Sequence, residues 1–206
     1  MKKSIFAILA LSILAFSFKS IITDGETYPT IKLGDEAPKT DLKMKEVNGN
    51  EYSLNDLKKE NGLLVIFSCN TCPYVKLSET RIKEYSDFCA ANGIGCVIAN
   101  SNEAQRTEED SFDEMTKYYT AQKLKCFYTV DAGSKLANAF GATRTPQCFL
   151  FNAKGLVYKG AIDDNVKDPA AVKEAYLKDA LTAVAKNAIP AKQETKSIGC
   201  TIKRVE

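Results

Sequence analysis

Two cysteines separated by two residues, Cys69 and Cys72, form the part of the sequence best suited to chemistry. Pro73 follows directly, and an uninterrupted apolar run at 63–67 lies just before the pair. That run is typical of a strand buried on both faces, and the pattern after it predicts a helix. Three-residue spacing at the start of a helix would bring both thiols within disulfide reach, so the pair could exchange disulfides.

The two thiols are expected to have different roles. Backbone N–H groups and the dipole at a helix N-terminus stabilise a thiolate, so we expect a lowered pKa at Cys69, the nucleophile. Cys72, one turn further into the helix, would be shielded and would resolve the mixed disulfide. Zinc would need further ligands, and the sequence has neither histidine nor a second Cys-x-x-Cys. A merely structural disulfide is the other alternative, which the position after a buried strand disfavours.

Composition excludes several other kinds of chemistry. The 206 residues include no histidine, which rules out Ser-His-Asp triads, Cys-His proteases and imidazole metal sites. A formal net charge of +2 is too balanced for a nucleic-acid-binding surface. The seven cysteines are an odd number, so at least one thiol is unpaired in a monomer. We expect no cofactor, no metal and no nucleic-acid partner.

Apolar strand patterns alternate with amphipathic helix patterns along the chain. Strands are expected at 63–67, 94–99, 126–130, 148–151 and 156–158. Helices are expected to begin near Ser53, at the cysteine pair, at Thr107, at Ser134 and at Asp168. Acidic residues at 163–164 are expected in a solvated loop that caps the last helix. This order predicts an α/β fold, a three-layer sandwich with a central mixed sheet and helices on both faces.

The chain divides into four segments, of which the first is expected to be an export signal. Lys2 and Lys3 precede an apolar run at 5–18, the pattern of a signal peptide over 1–20. The run is shorter than the roughly 20 residues of a membrane span, so no stable span is expected after cleavage. No cysteine precedes Cys69, which disfavours a lipoprotein anchor. We expect a periplasmic or secreted protein, with an uncleaved membrane anchor as the alternative.

The three remaining segments are an irregular lead-in at 21–40, one domain at 41–187 and a polar, flexible-looking tail at 188–206. Cys96, Cys126 and Cys148 lie in apolar runs and are expected to be buried, and Cys89 is expected on the core face of a helix. Cys200, in the tail, has three open roles. It could be an additional redox thiol, bridge to another cysteine, or make a structural contact.

Several segments together resemble the thioredoxin-like superfamily, and within it the redoxin branch of thiol-specific antioxidant and TlpA-type proteins. They are residues 67–74, 99–102, 128–131, 141–146 and 160–165, with the Gly-Cys-Thr-Ile-Lys tail at 199–203. The resemblance implies a thioredoxin-like sandwich and a thiol–disulfide oxidoreductase acting on protein disulfides or dithiols with a redox partner protein. It also implies a cis bond between Thr145 and Pro146, in a substrate-binding loop that faces the cysteines. Arg144, beside them, either contacts substrate or a thiolate, or is a surface residue.

Two positions depart from thioredoxin itself. Ser68 stands where thioredoxins usually have tryptophan, and Leu63 stands where they have a buried acid. We therefore expect water, or a residue from elsewhere in the chain, to take the proton from Cys72.

Two other functions on the same fold stay open. Thiol peroxidases of this fold resemble Pro-x-x-x-Thr-x-x-Cys around the nucleophile, and here Gly62 and Ile66 hold the proline and threonine positions. That difference disfavours a peroxidase. A binding module that holds Cu(I) through thiolates alone is the second alternative.

Overall fold

The computed structural model describes residues 28–205. The signal peptide expected at 1–20 and the first part of the lead-in lie outside the described residues. The elements are β1 (Met44–Glu46), β2 (Glu51–Tyr52), α1 (Leu54–Leu57), β3 (Gly62–Ser68), α2 (Pro73–Lys76), α3 (Glu79–Ala91), β4 (Ile94–Asn100), α4 (Phe112–Gln122), β5 (Phe127–Val130), α5 (Lys135–Phe140), β6 (Arg144–Thr145), β7 (Gln147–Asn152), β8 (Gly155–Gly160), α6 (Tyr176–Ala185) and β9 (Cys200–Thr201).

Seven strands form one mixed sheet in the order β2-β1-β5-β4-β3-β7-β8. The three central strands β3, β4 and β5 are parallel, whereas β7 pairs antiparallel with β3 and β8 with β7. At the other edge, β1 pairs antiparallel with both β2 and β5. This arrangement confirms the predicted α/β sandwich with a mixed sheet, and it makes β3 a central strand.

Alternate residues of β3 enter two separate apolar cores. Leu64 and Ile66 pack into the core on the side of α3 and α6, whereas Val65 and Phe67 pack into the core on the side of α1 and α5. All seven residues of β3 are buried, which fits the uninterrupted apolar run because a central strand with both faces covered has no solvent side. Each core therefore lies between one face of the sheet and the helices that cover that face.

Helix starts agree with the sequence where a local cap decides them. The Ser53 hydroxyl accepts from the backbone N–H of Asp56, and the Asp56 carboxylate accepts from that of Ser53, so α1 begins with a capping box as its Ser-x-x-Asp spacing predicted. The predicted start of α4 at Thr107 is wrong. That helix begins at Phe112, because Ser111 caps it by accepting from the N–H of Glu114.

The predicted start of the last helix at Asp168 is also wrong. Asp168 caps only a short 3-10 turn, Pro169–Ala171, by accepting from the N–H of Ala170. The backbone N–H of Lys173 then donates to the Asp164 carboxylate, and α6 begins at Tyr176. The backbone N–H groups of Ala170 and Lys173 thus donate to side chains, so α6 does not extend back to Pro169.

The tail at 188–206, expected to be flexible, is folded onto the domain. Its strand β9 pairs antiparallel with β6 in a second, two-stranded sheet. Thr195 bonds to the Tyr158 hydroxyl (2.8 Å) and accepts from the Ala161 N–H (2.9 Å). Ile202 is buried in the core beside α1 and α5. The tail therefore belongs to the packed structure from Thr195 to Ile202.

A buried ion pair joins α3 to the loop after β8. The Arg81 guanidinium contacts the Asp163 carboxylate, and both side chains are almost inaccessible to solvent. Arg81 also donates to the carbonyl oxygens of Leu77 (2.7 Å) and Val166 (2.8 Å). The expectation of a solvated acidic loop is wrong for Asp163, because its charge is neutralised by the buried Arg81, which lies 82 residues earlier in the sequence.

Replacement of Asp163 by alanine should lower the free energy of unfolding by about 3 kcal/mol or more, since it leaves a buried guanidinium charge without a partner. Urea unfolding followed by circular dichroism measures this change. The matched control is Lys178→Ala, which breaks an exposed pair with Glu84 and should cost about 0.5 kcal/mol or less. A similar small loss in both variants would contradict the importance of the buried pair.

Candidate active site

The cysteine pair lies at the carboxyl end of the central strand. β3 ends at Ser68, Cys69 follows at once, and Cys72 is the N-cap residue of α2. Pro73 occupies the first helical position, which suits proline because that position needs no N–H partner. The prediction that Cys72 lies one turn inside a long helix is wrong. Cys72 has extended backbone, and α2 is a single turn that ends before α3 begins.

Both thiols contact Thr145, which precedes Pro146 in a cis peptide bond as the resemblance implied. The Sγ atom of Cys69 lies 3.5 Å from the Thr145 hydroxyl oxygen. The Cys72 thiol donates to the Thr145 carbonyl oxygen, with 3.0 Å between sulfur and oxygen. The structure therefore brings together four residues that the sequence assigned to the site: Cys69, Cys72, Thr145 and Pro146.

Neither thiol of the pair reaches solvent in this conformation. Cys69 is 1% exposed and Cys72 is 2% exposed. Shielding was expected for Cys72 alone, on the assumption that the nucleophile would face the surface. A macromolecular disulfide can reach Cys69 only if some covering segment moves.

The two thiols are close enough to share a proton. Their mutual hydrogen bond is the largest influence that lowers the pKa of Cys72, to about 4, and the largest that raises the pKa of Cys69. The hydrogen bond thus favours a single thiolate in the reduced pair and opposes a second ionisation. The sequence placed the lowered pKa on Cys69, whereas the structure places it on Cys72.

Thr145 contacts the two thiols in two ways, through a side-chain hydrogen bond that lowers the pKa of both Cys69 and Cys72 and through its carbonyl oxygen. A carbonyl oxygen next to Cys72 favours its protonated form, because the thiol donates to it. The Thr145 hydroxyl next to Cys69 is a donor that lowers the pKa of that thiol. When a proton moves from Cys69 to Cys72, the Cys72 thiol can donate it in a hydrogen bond to the Thr145 carbonyl oxygen. This transfer leaves Cys69 as the thiolate for the reaction.

A fully buried carboxylate, Asp110, supports the loop between the two cysteines. It accepts hydrogen bonds from the backbone N–H of Asn70 (2.7 Å) and from the side-chain amides of Asn100 (2.8 Å) and Asn102 (2.9 Å). After the hydrogen bond to Cys72 and burial, the charge of Asp110 further raises the pKa of Cys69. Asp110, on the loop after β4, is thus a buried acid that acts on Cys69.

Asp110 was not identified from the sequence, which assigned it to the first turn of a helix. The available signal was the polar run that follows strand β4, Asn100-Ser101-Asn102, because polar side chains at the end of a buried strand need partners. Tyr128 belongs to the same network, since its hydroxyl donates to the Asn70 side chain (2.7 Å). The network fixes Asn70, the residue directly after the first cysteine.

Cys200 lies at the same site, although the sequence placed it in a tail. It is opposite Thr145 in the pairing of β9 with β6, and both its thiol and its backbone N–H lower the pKa of Cys72. Gly199 makes this approach possible, because a Cβ atom there would lie 2.2 Å from the Thr145 carbonyl oxygen. Cys200 itself is half-buried.

Arg144 is exposed and lies on the tail side of the site. Its guanidinium donates to the Thr201 hydroxyl (3.0 Å), and its charge is one of the smaller influences on Cys200. On the other side of Pro146 is a surface cavity of about 230 Å³, lined by Tyr74, Ser78, the segment 161–167 and Ile198. The cavity reaches Pro146, and neither Cys69 nor Cys72 lines it.

The four remaining cysteines are buried, as expected. Cys89, Cys96 and Cys126 lie next to one another, and hydrogen bonds from the other two raise the pKa of Cys96 well above its usual value. Burial likewise raises the pKa of Cys148. Within residues 28–205, no group of three or more histidine, cysteine or acidic side chains is arranged to hold a metal ion.

Comparison with known proteins gives a family. The model of the redoxin family matches residues 32–179. The structure is similar to a hypothetical protein from Sinorhizobium meliloti 1021, with a TM-score of 0.76 and 31% identity over 86% of this chain and 97% of that one. An uncharacterized conserved protein from Geobacillus kaustophilus gives a TM-score of 0.77 and 28% identity, over 86% and 93% of the two chains.

A more distant neighbour shares the fold alone. Peroxidoxin from Mycobacterium tuberculosis has a TM-score of 0.56 and 12% identity, over 75% of this chain and 96% of its own. Thiol–disulfide oxidoreductases are also among the solved structures with this fold. No protein of curated function matches the sequence.

Titration of the reduced protein should show one thiolate with a midpoint near pH 4, because hydrogen bonds to Cys72 favour its charged form. Thiolate ultraviolet absorbance measures the midpoint, with Cys72→Ala as the variant that lacks it. A folded-state pKa below the unfolded one also means that this group's contribution to stability is present above the unfolded pKa and lost as pH falls through about 4.

Cys200→Ala is the second variant for this titration. It removes a thiol donor to Cys72, so the midpoint should move to higher pH. A wild-type midpoint near that of an ordinary thiol, about 8.5, would contradict the shared proton.

Proposed function

The chain belongs to the redoxin family and is an oxidoreductase of the thioredoxin-like type, and from that premise we propose that it is an exported thiol–disulfide oxidoreductase. It exchanges disulfides with protein substrates through Cys69 and Cys72. The observation that carries the proposal is the contact of both thiols with one residue, Thr145, at the end of a buried strand.

The exchange has two steps. The Cys69 thiolate attacks one sulfur of a substrate disulfide, which forms a mixed disulfide and releases the other substrate sulfur as a thiolate. The Cys72 thiolate then attacks Cys69 Sγ, which forms the Cys69–Cys72 disulfide and releases the second substrate thiolate. The substrate gains two electrons and the cysteine pair loses two. The reverse sequence would donate a disulfide.

The surroundings of Pro146 support a polypeptide as substrate. The cavity beside Pro146 is open on its outer side, and Tyr74 and Ile162 give it apolar walls. Asp164 and Lys167 add charges of both signs at its edge. Thr145, Pro146 and Arg144 are the residues we assign to substrate contact, and a redox partner protein would use the same loop.

Two features of the sequence support export. Lys2, Lys3 and the apolar run at 5–18 have the signal-peptide pattern, and protein disulfides, the substrates proposed for the Cys69–Cys72 pair, form and persist in oxidising compartments. In the part of the chain that the structure describes, no helix has the length and apolar character needed to cross a membrane.

The peroxidase alternative receives less support from the structure. Ile66, at the position of the peroxidase threonine, is buried in the apolar core and offers no hydroxyl to a peroxide. Gly62, at the proline position, is enclosed by the backbone of β7, since a Cβ atom there would lie 2.1 Å from the Phe151 carbonyl oxygen.

Reduction of insulin disulfides by dithiothreitol tests the exchange. The wild-type protein should accelerate it, whereas Cys69→Ser should fall to the uncatalysed rate because the attacking sulfur is lost. Cys72→Ser should accumulate a mixed disulfide between Cys69 and insulin, visible by mass spectrometry, because nothing resolves it.

Cys89→Ala is the matched control, since this buried cysteine lies near the end of α3 and its thiol interacts with that of Cys96; it should keep wild-type activity. Full activity in Cys69→Ser would overturn the proposal. Rapid oxidation of Cys69 by micromolar peroxide, without insulin reduction, would favour the peroxidase alternative.

Expression of the full chain in a bacterial host tests export. The protein recovered from the periplasm or medium should begin between residues 18 and 21, as read by mass spectrometry of its N-terminal peptide. A Lys2→Glu, Lys3→Glu variant should be retained in the cytoplasm, because it reverses the charge of the signal. Recovery of the wild-type chain only in the cytoplasm, with Met1 intact, would contradict export.

A further inference from the structure

We propose that Cys200 is a third redox thiol, which displaces Cys69 from the Cys69–Cys72 disulfide and so presents a Cys72–Cys200 disulfide to a reductant at the surface. This inference rests on the proposed function of Cys69 and Cys72 and adds a step to it. It concerns how the oxidised pair is reduced again, a step that the burial of both thiols makes difficult.

The position of Cys200 is set by backbone pairing. Thr145 and Cys200 are directly opposite each other in the β6–β9 pair, so their Cα atoms are about 5 Å apart. The Cys72 sulfur lies 3.0 Å from the Thr145 carbonyl oxygen, and the Cys200 thiol and N–H interact with that sulfur. Cys72 therefore interacts with two thiols, those of Cys69 and Cys200.

The tail holds Cys200 on both sides. Before it, the backbone of Thr195 pairs with Lys159 (3.0 Å). After it, the Ile202 N–H donates to the Thr143 carbonyl (3.2 Å) and the Lys203 N–H to the Asn102 side chain (2.9 Å). These bonds hold the backbone on both sides of Cys200, so this residue stays opposite Thr145.

Exposure distinguishes Cys200 from the other two thiols. Cys69 and Cys72 are buried, whereas Cys200 is partly exposed. A bulky protein dithiol can thus contact Cys200 with β9 in place, but it cannot contact the Cys69–Cys72 disulfide without displacing a covering segment. Replacement of Cys69 by Cys200 as the disulfide partner of Cys72 brings the disulfide to the surface.

The transfer is a balanced thiol–disulfide exchange. The Cys200 thiolate attacks Cys72 Sγ, the Cys72–Cys200 bond forms, the Cys69–Cys72 bond breaks, and Cys69 leaves as a thiolate. No electron leaves the protein in this step, because three sulfurs share one disulfide before and after it. An external dithiol then attacks Cys200, and the two electrons it gives up restore the Cys72 and Cys200 thiols.

The charges around Cys200 favour this order of events. In the reduced protein, burial and the hydrogen bond to Cys72 raise the pKa of Cys200 to about 11, so it does not compete for the substrate. Once Cys72 is in a disulfide, its negative charge is gone, while Lys203 and Arg144 still lower the pKa of Cys200. Oxidation of the pair therefore removes the influence of the Cys72 thiolate that raises the pKa of Cys200, while burial continues to raise it.

A Cys69→Ser variant tests the bond directly. After treatment with oxidised glutathione, alkylation and digestion, mass spectrometry should find Cys72 linked to Cys200 as the main product. The control is Cys69→Ser with Cys200→Ser, in which Cys72 can only carry glutathione. If Cys72 in the single variant carries glutathione and Cys200 is alkylated, the inference is wrong.

Kinetics distinguish a redox role from a merely structural one. Reduction of the oxidised wild-type protein by dithiothreitol should be at least about tenfold faster than reduction of oxidised Cys200→Ser, because an intramolecular thiol competes better than an external one. Equal rates would mean that Cys200 only packs against the site.

The two proposals fail separately. If the proposed function is wrong, the Cys72→Ser variant accumulates no mixed disulfide between Cys69 and insulin, whatever bond Cys72 makes with Cys200 in the Cys69→Ser variant. If the inference alone is wrong, insulin is reduced and the Cys72–Cys200 peptide is absent.

Discussion

The arrangement of this site depends on the contacts of one peptide unit, that of Thr145. Its hydroxyl lies against Cys69, its carbonyl oxygen accepts from Cys72, and its backbone pairs with Cys200. The position of this unit is fixed in turn by strand β7, which begins two residues later and pairs with β3 up to the residue before Ser68. The central sheet therefore determines both where the cysteine pair begins and what lies opposite it.

A chain without histidine has to stabilise a thiolate by other means, and here it uses sulfur and backbone groups. Cys72 receives hydrogen bonds from the Cys69 and Cys200 thiols and from the N–H of Cys200. The buried carboxylate of Asp110 orients the intervening loop through the N–H of Asn70. Thiol–disulfide exchange needs no imidazole base, because the attacking group and the leaving group are both thiolates.

Local patterns predicted the parts of the fold that local interactions decide. The apolar run of β3 and the Ser53 capping box are visible in a few neighbouring residues, and so is the cysteine spacing. Long-range partners were missed. Arg81 meets Asp163 across 82 residues, Asp110 meets Asn70 across 40, and β9 reaches Thr145 from the end of the chain. The helix starts predicted at 107 and 168 failed for local reasons, because Ser111 caps α4 and Asp168 caps a short 3-10 turn.

The two cores on either side of the sheet differ in their cysteine content. All six buried cysteines lie in the core beside α3 and α6, and Cys200 packs against it, whereas the core beside α1 and α5 contains none. That second core holds instead a set of edge-to-face phenylalanine rings around Phe140. Oxidative damage to sulfur in thiols is thereby confined to one layer of the molecule. The core beside α1 and α5 can therefore support the sheet unchanged while thiols on the other side are repeatedly oxidised and reduced.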